Sequence, residues 1–451
     1  MKKLKTLHFI IAVFIIIMSI EGYAQDVEAG YEAELKAGNY QKALDQIIGR
    51  LNEIYSSRVT ERRIPSDYLS FNSPGSEIDL IALFRGRQES GFFVEDNPEL
   101  AELHVNAGMC YRLFGKRKDA LNHYIQSLRF RRLENRRDDV IFYQISQVFK
   151  GMDSNIYFKG YIDALEQAYS LNSTKFEYSY ELGMALVPTP EKKKAVYHLE
   201  RFLSLSGQSD PEVLLTIAGL YESMGRYLES EKYYNEYLRL KPEDFNIMFA
   251  TGYNAFYRTG NFTLAEFMFQ GVLQKAPAGD HFKRAKSNEY LGDMAMSDVK
   301  YDRAIDYYKN VIVIHTELEK KISVSESEKK EIDSRLNEIK GVLLNEKDLM
   351  KYDEYKNLLD DYESLLSEQG EKQSELDTIR FSLKQLGPGK VRWNMAQCYE
   401  RKGDRSDGVT PKKENYSEAV KYYRESMKYE YNAGKARENI KKLQLKIKRG
   451  Y

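Results

Sequence analysis

The sequence is poor in the residues that build covalent or metal-bound centres. It has two cysteines, one tryptophan and six histidines in 451 residues, and Lys plus Arg balance Asp plus Glu at 68 each. Two cysteines cannot form the disulfide framework of a small secreted domain. A chain without net charge also lacks the basic surplus of a nucleic-acid-binding protein, so we expect no nucleic-acid partner.

Motifs for catalysis and metal binding are absent as well. No two histidines are spaced i, i+4, and no zinc signature, glycine-rich phosphate loop, nucleophile elbow or paired-cysteine motif occurs. We therefore expect a protein that is not an enzyme, with no catalytic residue, cofactor or metal ion. Cys110 and Cys398 both fall at the same position of a predicted helix, and we interpret them as packing residues.

Long hydrophobic runs are also rare, and the one present lies at the N-terminus. Lysines precede an apolar run at 7–20, and Glu21-Gly22-Tyr23-Ala24 follows it. The run of roughly 14 residues is shorter than the roughly 20 that span a bilayer. We predict a signal peptide at 1–24, cleaved after Ala24, and a periplasmic mature protein without stable membrane insertion. An uncleaved anchor is the alternative.

The sequence does contain a repeat of about 34 residues. Its clearest copy starts at Pro211, with small residues where two antiparallel helices approach, Gly225 at the turn between them and Pro242 after the second helix. Glycine permits the turn, and proline prevents the second helix from continuing. The other positions in register are Leu214, Ile217, Ala218, Tyr221, Tyr227, Ser230 and Tyr234.

This pattern resembles the tetratricopeptide repeat, which implies an all-α solenoid of antiparallel helix pairs that binds other proteins. We expect about seven pairs, with a degenerate one at 138–171. In the unit that starts at Asn246, Tyr253 stands where a small residue is needed, so this pair should splay or shift its register by one residue. Other units start at Ala101, Phe176, Pro211 and Ala285, with a half-unit around Gly38 and a last unit around Trp393.

Two segments interrupt the repeats. Residues 56–98 do not repeat and contain a predicted short helix at 78–84 and an extended piece at 91–94; they either cover an edge of the solenoid or dock a partner. Residues 316–388 are rich in lysine and glutamate, with apolar residues at 4-3-4 spacing that predict an inserted coiled-coil hairpin. Its seam is predicted to contain Ile332, Leu336, Ile339, Leu343, Tyr355, Leu359, Tyr362, Leu366, Leu376, Ile379, Leu383 and Leu386.

The predicted domain organisation follows from these interruptions. Because each repeat contacts mainly its neighbours, we expect the repeats to fold without residues 320–384. The divisions are a signal peptide at 1–24, an N-terminal repeat at 25–55, the non-repeat insert at 56–98, a repeat array at 99–315, the coiled-coil-like insert at 316–388, and a C-terminal repeat with a loop insertion and a basic helix at 389–451.

The concave face of the solenoid is the candidate binding surface, because the first helix of each pair lines it. Trp and Arg dominate the energy of many interfaces, so Trp393 is the candidate anchor. The alternative is that the preceding hairpin buries Trp393. The predicted partner-binding residues are Arg112, Tyr180, Asn254, Tyr257, Arg258, Trp393, Gln397 and Arg401.

The function that fits these features is a periplasmic scaffold or adaptor that helps assemble an envelope-embedded machine. The segment from Ile78 through Phe93 to Leu100 resembles stretches of periplasmic repeat proteins of the spirochaete flagellar collar, which implies a part in that collar. The alternatives are an accessory of outer-membrane secretion or motility, and a module that recruits a peptidoglycan enzyme. The expected partners are other envelope proteins, and the sequence leaves the oligomeric state open.

Overall fold

The computed structural model describes residues 30–60, 96–130, 138–152, 155–345 and 351–449. In these ranges all regular secondary structure is helical, which confirms the predicted all-α class. None of the described helices combines the length and the apolar character needed to cross a membrane. The predicted signal peptide, the helix at 78–84 and the extended piece at 91–94 lie outside the described residues. The chain divides into two compact units, unit 1 (1–213) and unit 2 (214–451).

Unit 1 consists of antiparallel helix pairs in chain order. The pairs are α1–α2, α3–α4, α5–α6 and α7–α8, and α2, α4 and α6 each pack on the helix that follows. The degenerate repeat forms a pair as well, because Gly160 of α6 lets the Phe149 ring of α5 approach closely. The bounds are α1 Gly30–Lys36, α2 Tyr40–Thr60, α3 Pro98–Leu113, α4 Arg117–Arg129, α5 Asp138–Lys150, α6 Asn155–Leu171, α7 Phe176–Leu186 and α8 Lys192–Ser206.

Unit 2 continues the same pattern and adds two long helices. The pairs α11–α12, α13–α14 and α16–α17 pack as hairpins, α14 also packs on α15 and α16, and α18 packs on α17. Helix α9 begins in unit 1, and the rings of its Tyr221 and of Tyr233 in α10 stack at 5.7 Å. The bounds are α9 Pro211–Ser223, α10 Tyr227–Leu240, α11 Phe245–Asn254, α12 Phe262–Lys275, α13 His281–Ser297, α14 Tyr301–Asn345, α15 Tyr352–Leu386, α16 Pro388–Arg405, α17 Val409–Met427 and α18 Ala433–Arg449.

The α11–α12 pair shifts its register by one residue, the second of the two outcomes predicted from Tyr253. Gly252 is the small residue at the helix crossing, where an added Cβ would lie 3.0 Å from the Phe269 ring. The segment from the crossing residue Gly252 to the turn at Gly260 is therefore one residue longer than in the unit that starts at Pro211. A π-helical turn at Ala255–Thr259 accommodates the extra residue. The helices therefore stay close, and Tyr253 turns outward to become exposed.

The arm, defined as residues 319–345 and 351–385, is continuous with the repeats at its start. Helix α14 is 45 residues long and runs without a break from the α13–α14 pair into the arm. Helix α15 returns along it, and Pro388 begins α16 two residues after Leu386 ends α15. The arm is thus an extension of a repeat helix rather than a separate segment that starts at residue 316.

Two apolar clusters hold the arm. In its outer half, Ile332, Leu336 and Leu365 are buried together, with Ile339 and Tyr362 packed against them. The predicted seam residue Leu366 is wrong, because it is exposed and Leu365 takes its place. At the root, Leu318, Leu386, Ile379 and Leu383 belong to the same core as Val391 and Met395 of α16.

The root contacts change what an arm deletion should do. Replacing residues 326–375 by a linker of about four residues, which spans the 8–10 Å between packed helices, should leave the stability of unit 2 unchanged. Deleting 320–384 also removes Ile379 and Leu383 from the core and should cost about 2–4 kcal/mol. Urea unfolding followed by circular dichroism compares the stabilities of the two deletion proteins. Equal stability of both would contradict a contribution of Ile379 and Leu383 to the core of unit 2.

Candidate partner-binding surface

A pair of exposed tyrosines forms a ledge on unit 2. Tyr253 and Tyr257, the tyrosine ledge, are 37% and 49% exposed, and their ring centroids lie 4.8 Å apart. The Tyr257 ring is 5.5 Å from the ring of the buried Tyr290 in α13, and Phe256 stacks on the same ring at 5.6 Å. This aromatic packing holds the two exposed tyrosine rings in place.

A charged network lies beside the ledge on α13 and α16. The Lys390 ammonium lies 2.5 Å from a carboxylate oxygen of Glu289 and 3.4 Å from one of Asp293. Asp293 also accepts hydrogen bonds from the Tyr308 hydroxyl at 2.5 Å and the Asn394 amide at 3.0 Å. Lys390 and Glu289 are 101 residues apart in sequence. The network thus joins α13 and α16, the helices that come directly before and after the two arm helices, α14 and α15, in the sequence.

The network also sets protonation at the surface. Burial lowers the pKa of Lys390, but the nearby Asp293 and Glu289 carboxylates outweigh it and raise that pKa above its usual value. Burial raises the pKa of Tyr257, although the positive charge of Lys390 opposes the rise. At neutral pH the surface therefore presents a charged ammonium and a protonated phenol, and both are hydrogen-bond donors.

Four predicted residues lie exposed or half-exposed on unit 2. Tyr257 is in the ledge, and Arg258 follows it, with its guanidinium 5.3 Å from the centre of the Tyr227 ring. Gln397 is half-exposed and Arg401 exposed. They lie seven and eleven residues after Lys390 on α16, so the three side chains share one helix face. We call Tyr253, Tyr257, Arg258, Lys390, Asn394, Gln397 and Arg401 the inner surface.

Trp393 is buried, so its prediction as an exposed anchor is wrong. Its side chain is 8% exposed, and its ring lies 4.9 Å from that of Tyr423 and 6.4 Å from that of Tyr431. Ala436 and Ile440 of α18 belong to the same cluster. The covering residues come from α17, α18 and their connection, because α18 closes over the last pair; the preceding hairpin is not the cause.

Asn254 is also buried, at 3% exposure, and does not contribute to the inner surface. The one-residue shift of α11 places Tyr253 outward and turns Asn254 inward. Its amide nitrogen has no hydrogen-bond partner within the described part of the chain. The sequence signal for Tyr253 was present, since the residue broke the small-residue pattern, but the direction of the shift was not readable from it.

Arg112 and Tyr180 lie in unit 1 and are described separately. Tyr180 is half-buried, with its ring 5.1 Å from that of Phe202. Arg112 is half-buried near Tyr124, whose pKa burial raises to about 12. Neither residue belongs to the inner surface, which lies in unit 2.

The two cysteines are free and buried. Burial raises the pKa of Cys110 to about 11 and that of Cys398 to about 12, so both remain thiols at neutral pH. In the described ranges no three His, Cys, Asp or Glu side chains are grouped so that they could hold a metal ion.

A histidine contact in unit 1 has no counterpart in the sequence spacing. Nδ1 of His104 lies 3.0 Å from Nδ1 of His123, and the Tyr55 hydroxyl lies 2.7 Å from Nε2 of His104. Burial lowers the pKa of His104 and lowers that of His123 to about 4. These side chains therefore form a neutral hydrogen-bonded link between α2, α3 and α4, which the separation of the residues along the chain concealed.

Comparison with known proteins gives one family match. Residues 211–244, which include α9 and α10, match the family described as Tetratricopeptide repeat. No curated protein matches the chain. Similar solved structures include a MamA protein at 20% identity over 40% of this chain and 93% of that one, with a TM-score of 0.32.

Two further solved structures have the same TM-score of 0.32. One is YrrB, described as a TPR protein with an unusual peptide-binding site, at 18% identity over 44% of this chain and 93% of that one. The other is the C-terminal part of a TPR repeat-containing protein from Cytophaga hutchinsonii, at 15% identity over 52% of this chain and 90% of that one.

Proposed function

We propose that this chain, a member of the tetratricopeptide-repeat superfamily, is a periplasmic scaffold that binds a partner protein on the inner surface of unit 2. Helix-pair repeats of this kind are scaffolds for protein–protein interaction. The observation that supports this site is the tyrosine ledge, where two exposed aromatic rings are held by a buried third.

The chemistry of the inner surface indicates what the partner should offer. Tyrosine and arginine are enriched among the residues that carry interface energy, and each often contributes about 2 kcal/mol. The ledge offers apolar ring faces, while Arg258 and Arg401 offer cationic donors. An extended segment with an apolar side chain followed by carboxylate or carbonyl oxygens fits both features.

The test compares Tyr257 with an equally exposed tyrosine elsewhere. A photoreactive residue at position 257 should crosslink one discrete envelope protein in intact cells. The same residue in place of Tyr197 of α8, which is 54% exposed, should not. With the purified partner, Tyr257→Ala should weaken binding by about 2 kcal/mol, or about thirtyfold, and Tyr197→Ala should leave binding unchanged. Equal crosslinking from both positions would contradict the site.

Export and the identity of the machine are parts of the same proposal. The apolar run at 7–20 supports removal of residues 1–24, so the mass of the purified protein should correspond to a mature chain beginning at Gln25. The flagellar motor collar is the first candidate machine, because of the sequence resemblance at 78–100. Secretion machinery and a peptidoglycan enzyme are the alternatives, and the protein crosslinked at position 257 distinguishes the three.

A further inference from the structure

Helix α18 presents a basic face that nothing in the described chain covers. Its sequence has seven basic residues and one acidic residue. Ala436, Ile440 and Leu443 are buried on the opposite side. Lys442 pairs with Glu438, and Lys446 with Asp404. The basic face consists of the exposed residues Lys435, Arg437, Lys441, Lys448 and Arg449, which have no ion pair among the described residues, and of Leu445, which is 53% exposed.

The tip of the arm has the opposite charge. Between residues 352 and 363, α15 carries five acidic residues and one basic residue. Large apolar side chains are exposed here too, since Tyr352 is 77% exposed and Leu344 is 73% exposed. The acidic tip consists of Asp353, Asp360, Asp361 and Glu363, which are exposed and have no ion pair within the described ranges, together with Leu344 and Tyr352.

The geometry of unit 2 keeps these two surfaces apart in one chain. Helices α14 and α16 are antiparallel, because Tyr301 of α14 lies 5.2 Å from the Arg405 guanidinium and His315 lies 3.3 Å from that of Arg392. Beyond the root, α14 extends past the start of α16 by about 40 Å, at 1.5 Å per residue.

The C-terminal part of α18 lies at the other end of α16. Lys446 bonds Asp404 at 2.7 Å, near the end of α16. Helix α16 is about 27 Å long and begins at the arm root. The acidic tip and Lys448 of one chain are therefore separated by roughly the sum of the two lengths, and they cannot meet within it.

We propose that the acidic tip of one copy binds the basic face of α18 on a second copy. The two surfaces have opposite charge, each has exposed apolar side chains within it, and each is a helical surface. A heterologous contact of this kind leaves one tip and one basic face free, so further copies can add to form a ring or an open chain. This contact uses neither the ledge nor Lys390, and it is independent of the partner proposed for the inner surface.

Sedimentation velocity of the full mature chain over a range of concentrations tests the contact. We expect the mass to rise with concentration at about 0.1 M salt and to return to that of the monomer at about 1 M, where the Debye length falls from about 10 Å to about 3 Å. Reversing either surface, by Lys441→Glu with Lys448→Glu or by Asp360→Lys with Asp361→Lys, should weaken self-association at least about tenfold.

Mixing the two charge-reversed proteins gives the decisive result. The Lys441→Glu and Lys448→Glu pair lowers the charge of the basic face from +5 to +1, and the Asp360→Lys and Asp361→Lys pair brings the acidic tip from −4 to 0, so each protein alone should remain monomeric. In the mixture the unchanged tip of the first protein meets the unchanged basic face of the second, so a one-to-one complex should form. The control, Lys193→Glu with Lys241→Glu, changes the net charge by the same amount as the reversal of the basic face, but at exposed sites outside both surfaces, and should associate like the original protein. A monomer at all concentrations in low salt, association that survives both reversals, or a mixture that stays monomeric would overturn the proposal.

Discussion

Trp393→Ala should lower the free energy of unfolding by about 3–5 kcal/mol, the usual cost of truncating a buried large aromatic side chain. The indole lies in the cluster that α16 shares with Tyr416, Tyr423 and α18. Truncation leaves a cavity there and removes the edge-to-face contact with Tyr423 at 4.9 Å. We expect α18 to lose its packing first, because its attachment depends on this cluster.

Urea unfolding followed by circular dichroism measures the Trp393→Ala effect, since the variant has no tryptophan to report fluorescence. Leu228→Ala is the control, because Leu228 is a large apolar residue that is 70% exposed and its truncation should cost little. If Trp393→Ala left the stability unchanged but weakened partner binding, Trp393 would belong to the binding surface, and its burial would be contradicted.

Gly292→Ala should destabilise unit 2 by about 1–3 kcal/mol, the usual cost of overpacking a core. Gly292 lies in the middle of α13, where the Tyr308 ring of α14 crosses it, and an added Cβ would be 2.6 Å from that ring. Tyr308 cannot move away freely, because it is fully buried and its hydroxyl donates to Asp293.

The matched control, Gly219→Ala, should have the opposite effect on stability. Gly219 is also within the first helix of a pair, but no atom lies within 4 Å of an added Cβ there. Gly219→Ala should therefore stabilise the protein by about 0.5–1 kcal/mol through helix propensity alone. The two variants are compared by thermal unfolding. A stabilised Gly292→Ala protein would mean that the two helices are not in close contact at this position.

Only part of the binding surface could be predicted from the sequence. The repeat register alone predicts exposed or half-exposed positions for four of its residues, Tyr257, Arg258, Gln397 and Arg401. Lys390 was missed, because its importance comes from Glu289 and Asp293, which are far from it in sequence. No pattern within α16 indicates that these carboxylates are its neighbours.

The sequence by itself determined the helix pairs and the crossings within them. Gly108 meets Tyr124 and Gly292 meets Tyr308, in each case 16 residues later, and this spacing depends only on two short helices and the turn between them. The same local rule is why the family pattern at 211–244 was recognisable. The exception to this spacing is visible in the sequence at Tyr253, but its structural consequence is not.

Only the tertiary structure decided which faces remain exposed and where the arm begins. Whether Trp393 is exposed depends on α18 closing over it, and α14 passes from repeat to arm with no change in its helical pattern. Leu365 and Leu366 are equally apolar neighbours, and only the position of α14 opposite them buries the first and exposes the second. These outcomes depend on contacts between segments that are distant in sequence. The local spacing of residues does not determine the free energies of such contacts.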